Sequence, residues 1–166
     1  MKEYKVKVSD SKTEWYNLNG KLHREDGPAV EWAAGTKYWY INGQPHRKDG
    51  PAKEFANGTK YWYINGQCHR EDGPAVEYTN GDKYWFINGK LHRGDGPAIE
   101  FANGDKYWYI NGQYHRETGP AIELVDGTSS WYINGKRLYQ NYTQRNQPCN
   151  NKIVEIDGKK YKLTQI

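Results

Sequence analysis

Five histidines, His23, His46, His69, His92 and His115, recur every 23 residues, and each is followed directly by arginine. Such a series invites three chemistries. Clustered imidazoles bind zinc, an imidazole beside a hydroxyl acts as a general base, and a row of guanidiniums holds phosphate. The spacing argues against the first two. Each repeat supplies one histidine, with no second His or Cys at ligand spacing. With two strands per repeat, ~4.8 Å apart, equivalent histidines stand ~10 Å from one another, too far to share a zinc ion. No complete repeat carries a serine nucleophile. Neither an enzyme nor a metal or cofactor is expected. A residue that recurs once per repeat serves the fold of that repeat, so His92 and Arg93 are expected to fold back over tryptophan, guanidinium on indole. Anion binding stays as an alternative: His69, Arg70, His92 and Arg93 would hold a small nucleotide, arginine on phosphate and tyrosine on base.

The elements that position these residues share the period. Asn-Gly at 19–20, 42–43, 65–66, 88–89, 111–112 and 134–135 follows it, as do Trp39, Trp62, Trp85, Trp108 and Trp131. Five complete repeats are followed by a sixth that begins at Ser130 and ends after Tyr139. Each repeat has two β-prone runs, such as Ala98–Phe101 and Lys106–Ile110. Asn103-Gly104 between them is expected to form a two-residue type I′ turn, placing Ile99 opposite Trp108 and Glu100 opposite Tyr107. Alternation then gives a core face of Ile99, Phe101, Trp108 and Ile110, and an outer face of Ala98, Glu100, Tyr107 and Tyr109. Burying each indole would remove ~150–250 Å² from water. In the loop, Gly96 is expected to supply backbone freedom, Pro97 to fix φ at the strand start, and Asp95 to bond turn N–H groups.

The outer face predicts a ladder of Tyr40, Tyr63, Phe86, Tyr109 and Tyr132 beside Tyr38, Tyr61, Tyr84 and Tyr107. Rigid rings with polar tips suit protein contact, although tyrosine is also simply a good strand former. Departures from the repeat are further pointers. Lys53 replaces the Val or Ile of the core slot. Pro45, Cys68 and Tyr114 stand where Leu22 and Leu91 precede histidine. Thr118 replaces Asp, Gly94 replaces Glu or Lys, and Ser129-Ser130 replaces Lys-Tyr. Tyr114 and Lys53 join the partner-binding candidates.

Composition agrees with strands and turns: 7 Trp, 15 Tyr and 18 Gly at a mean hydropathy of −1.12. The net charge of +4 sits on the ends, +2 in residues 1–13 and +3 in 140–166, leaving −1 for the body. A duplex-binding protein needs a basic stripe on its working surface, so duplex nucleic acid is not an expected partner. Two cysteines without metal or disulfide spacing fit a reducing cytoplasm. There is no apolar run of membrane-spanning length and no signal-peptide core. Residues 1–13 read as a Lys-rich capping strand, 14–139 as the repeats, 140–151 as a loop and 152–166 as a closing hairpin. The expected fold is all-β, an elongated, twisted antiparallel sheet of tandem 23-residue hairpins capped at both ends.

The stretch Asn88-Gly89-Lys90-Leu91-His92 through Asn103-Gly104, between aromatic strands, resembles the MORN repeat family and its shorter bacterial relatives. The resemblance covers roughly 14–139 and departs after His, where Arg-x-Asp-Gly-Pro replaces the usual Gly-x-Gly step. Its wording is similar to repeat proteins frequent in tailed bacteriophages. It implies an elongated, twisted single sheet without catalysis of its own, serving as a scaffold that binds another protein or, alternatively, contacts lipid. If the protein is phage-encoded, the partner it implies is a host protein such as a defence component, met in the host cytoplasm. A structural role in assembly is a further alternative, and self-association is left open.

Overall fold

The computed structural model describes residues 3–138, 152–156 and 158–163. All described secondary structure is β-strand, and every strand pair is antiparallel. The protein divides into two compact units, Met1–Leu91 and His92–Ile166. In the first, the ladder runs Lys5–Val8, Lys12–Tyr16, Val30–Trp32, Lys37–Tyr38, Lys53–Glu54, Lys60–Tyr61, Val76–Glu77, Lys83–Tyr84. In the second it runs Ile99–Glu100, Lys106–Tyr107, Ile122–Glu123, Ser129–Ile133, Lys136–Leu138. Each complete repeat after the first also forms a small side hairpin, Tyr40–Ile41 with Gln44–Pro45, for example, or Tyr109–Ile110 with Gln113–Tyr114. Lys5–Val8 lies at the ladder's edge, paired with Lys12–Tyr16. Lys152–Ile156 and Lys159–Leu163 pair as a separate two-stranded sheet. The expected loop at 140–151 lies outside the described residues.

The two Asn-Gly dipeptides of a repeat make different turns, and this corrects the predicted register. The type I′ pair is the one in the side hairpin. Asn111 and Gly112 have φ of 51° and 82°, and Ile110 pairs with Gln113 across just two residues. At Asn103-Gly104 only the glycine has positive φ. There Gly104 N–H donates to Phe101 O and Phe101 N–H to Asp105 O, which is a type I turn closed by a glycine bulge. Asn103 contributes its side chain instead, with Oδ1 accepting the Asp105 N–H. The bulge adds one residue to the loop, and a one-residue shift exchanges faces. Ile99 therefore pairs with Tyr107, and Glu100 with Lys106.

The core is accordingly not an indole layer. All seven tryptophans are half-buried. Among the described residues the closed hydrophobic ones are Ala29, Ala52, Ala75, Ala98 and Ala121, with Val30, Val76, Ile99 and Ile133. Val30, Val76 and Ile99 share a face with tyrosine, while alanine shares the opposite face with Glu, Trp and Arg, and Ile133, two residues past Trp131 in the strand Ser129–Ile133, lies on that tryptophan side. Sequence position and pairing fix this: Val76 pairs with Tyr61 and Tyr84, and Glu77 with Lys60 and Lys83.

Candidate functional site

On the tryptophan face each loop arginine is surrounded by its own repeat. The Arg70 guanidinium carbon lies 4.2 Å from the Trp62 ring centre. Its Nε donates to Asp72 at 2.9 Å, and Nη1 donates to Pro74 O at 3.2 Å and Glu77 at 3.1 Å. Arg47 repeats the pattern on Trp39, Asp49, Pro51 and Glu54. Arg93 holds Asp95, Pro97 O and Glu100. Arg116 stacks on Trp108 and binds Pro120 O and Glu123, but Thr118 leaves its Nε without the carboxylate found in the other loops. The expected arginine–indole stacking is thus present for Arg47, Arg70 and Arg116. Hydrogen bonds from the guanidinium hold the Asp72 and Asp95 carboxyls below their ordinary range. Asp95 therefore serves arginine first, with a backbone N–H in the turn as its lesser partner. The glycine role is corrected. Gly96 has ordinary φ, but a Cβ there would sit 2.8 Å from Arg93 Cζ, so the position needs room for the guanidinium.

Histidine joins one repeat to the next. Asn88 N–H donates to His69 Nδ1 at 3.1 Å, and Asn111 N–H to His92 Nδ1 at 3.2 Å. The same contact joins His23 to Asn42, His46 to Asn65 and His115 to Asn134. Backbone bonds accompany it, Gly66 N–H to Pro45 O and Arg47 N–H to Tyr63 O. This clasp links residues 19 apart. Reading one repeat at a time misses it, and the only sequence signal is that Asn-Gly and His share a period. Among the described residues, no group of three or more His, Cys, Asp or Glu side chains could hold a metal ion. No described helix is long and apolar enough to cross a membrane. Open clefts lie between successive loops, one of about 720 Å³ floored by Trp62 and Ile64 and one of about 370 Å³ floored by Trp108 and Ile110.

In each unit the tyrosine face carries a series of ring contacts. In the first unit it runs Trp32–Tyr38 (4.6 Å), Tyr38–Phe55 (5.4 Å), Phe55–Tyr61 (5.6 Å), Tyr61–Tyr78 (5.8 Å) and Tyr78–Tyr84 (5.6 Å), mostly edge to face. In the second, Phe101 meets Tyr107, and Tyr114 meets Tyr109 (4.3 Å) and Tyr132 (5.0 Å). Tyr61, Tyr84 and Tyr107 thus lie on the ladder, while Tyr40, Tyr63, Phe86 and Tyr109 lie on side hairpins opposite Pro45, Cys68, Leu91 and Tyr114. Lys53 sits in the valine slot between Tyr38 and Tyr61, its ammonium 5.3 Å from the Tyr38 ring centre and 5.2 Å from that of Tyr63. Tyr61 donates a hydrogen bond to the Tyr78 hydroxyl at 3.0 Å. Burial pushes Tyr63 up to about 12 and Cys68 up to about 11, and raises Tyr61 and Tyr109 further.

Comparison with known families and curated proteins finds no match for this sequence. Fold and site together define an all-β protein of tandem 23-residue antiparallel hairpin repeats.

Proposed function

We propose that this is a non-enzymatic repeat protein that binds another protein through its tyrosine face. The observation that carries this reading is the ring series Trp32–Tyr38–Phe55–Tyr61–Tyr78–Tyr84, half-buried to exposed, with the rings packed on one another. Rings already fixed by their neighbours lose little freedom on binding, and their hydroxyls supply direction. The opposite face has its guanidiniums occupied. On Arg70 and Arg93 two carboxylates already take the places a phosphate would take, so the nucleotide-holding alternative has less support. The MORN-like wording of the repeat and its likeness to repeats of tailed phages point to a host protein as partner, in the host cytoplasm.

Affinity capture from host extract tests this. A partner held by the native protein, lost with Tyr63→Ala/Tyr109→Ala and kept with Glu71→Ala/Glu117→Ala on the opposite loops, supports the reading. Retention by the tyrosine variant removes that face from it.

A further inference from the structure

The sequence holds nine Asn-Gly pairs, the dipeptide most prone to spontaneous deamidation, and the fold treats them unequally. In this reaction the glycine backbone nitrogen attacks the carbonyl carbon of the asparagine amide. A new C–N bond forms, the original amide C–N bond breaks, and ammonia leaves with the proton from the glycine N–H. Water then opens the cyclic imide to isoaspartate or aspartate. The reaction needs a free asparagine amide and a glycine nitrogen able to approach it.

Five pairs are held by the preceding repeat. At Asn65-Gly66 the asparagine N–H is bound to His46 Nδ1 at 3.1 Å, the amide oxygen Oδ1 lies 2.9 Å from the same nitrogen, and the Gly66 N–H donates to Pro45 O at 2.9 Å. Asn88-Gly89 has the same arrangement with His69 and Cys68 O. Asn42 meets His23 through its backbone and Asn17 through its amide. Asn111 and Asn134 meet His92 and His115 by both routes. Three further pairs, at Asn57, Asn80 and Asn103, have Oδ1 occupied by the backbone N–H two residues on.

Asn19-Gly20 differs. Among the described residues no histidine reaches it: Lys5–Val8 and Lys12–Tyr16, which come before it, pair as strands and contain no histidine. One extra residue between Trp15 and His23, compared with Trp39 and His46, turns the side hairpin into a longer loop in which Asn17 supplies the turn contact to Lys21 N–H. Gly20 N–H donates only within that turn, to Asn17 O at 3.0 Å. Asn19 is exposed, and its amide makes no hydrogen bond among the described residues.

We propose that Asn19 is the site of spontaneous deamidation in this protein, and that the histidine clasp spares the equivalent asparagines. The test is peptide mass spectrometry on the full-length protein, aged at mildly alkaline pH either folded or in urea. In the folded protein the Asn19 peptide gains one mass unit at least about tenfold faster than the Asn65 and Asn88 peptides, equivalent to about 1.4 kcal/mol in barrier. In urea that gap closes. His46→Ala, with its sheet signal retained, raises the rate at Asn65 and leaves Asn19 and Asn88 unchanged. Asn19 converting no faster than Asn65 in the folded protein, or a gap that persists in urea, would overturn the proposal.

Discussion

Ala75 and Val76 are neighbours that point to opposite faces of one sheet, yet both are closed, at 0% and 4% exposure. Val76 is covered from the tyrosine side, where it pairs with Tyr61 and Tyr84. Ala75 shares its face with Glu77, Arg70 and Trp62 and accepts the Trp62 N–H at its carbonyl. The alanine slot is small because an arginine–indole layer lies over it. Ala75→Leu should therefore destabilise the protein by ~1–3 kcal/mol through overpacking, read as a lower urea midpoint with unchanged slope. An unchanged midpoint would show that the slot is open.

The two kinds of Asn-Gly turn should respond differently to the same substitution. Asn65 has a φ of 49°, and an alanine there bears the ~1–2 kcal/mol penalty of left-handed backbone. Asn103 has no such strain, and Asn103→Ala forfeits one hydrogen bond from its amide oxygen, ~0.5–1.5 kcal/mol. Asn65→Ala should thus cost more than Asn103→Ala, and Asn65→Gly should recover part of the loss. Equal costs for the two alanine variants would contradict the turn assignment.

The 23-residue period was legible from the recurrence of His, Trp and Asn-Gly, and the all-β class and the arginine–indole stacking because each follows from residues within one repeat. The register was not, because Asn-Gly stands at both turns and the dipeptide alone does not fix loop length. One signal was available: the first repeat has Ala34-Gly35 where the next three have Asn-Gly and the fifth has Asp126-Gly127, and alanine tolerates positive φ poorly. From that single slip the predicted faces exchanged tyrosine and tryptophan. The Gly96 role was hidden for another reason, since it depends on where the Arg93 guanidinium packs. The His46–Asn65 clasp lies between repeats, beyond any reading of one repeat alone.

Alkaline pH should weaken the fold on the tyrosine side. Burial raises Cys68 from an ordinary 9.0 to about 11, and Tyr63 from 10.0 to about 12. Between each pair of values the folded protein keeps a proton that the unfolded one has released. The contribution is therefore complete below pH 9.0 and is lost as pH rises through about 12. Urea midpoints should fall across this window, and Cys68→Ala should make the early part of the fall shallower. A midpoint flat from pH 9.0 upward would contradict the burial of these groups.

The claim on which the division of faces depends is that each loop arginine is committed to its own repeat. A double-mutant cycle on Arg70 and Trp62, using Arg70→Ala, Trp62→Ala and the double variant, measures this most directly. A guanidinium 4.2 Å from the indole centre predicts a favourable coupling of about 0.5–2 kcal/mol. Additive losses, with no coupling outside experimental error, would mean that the arginine is free for an external ligand and would contradict the account.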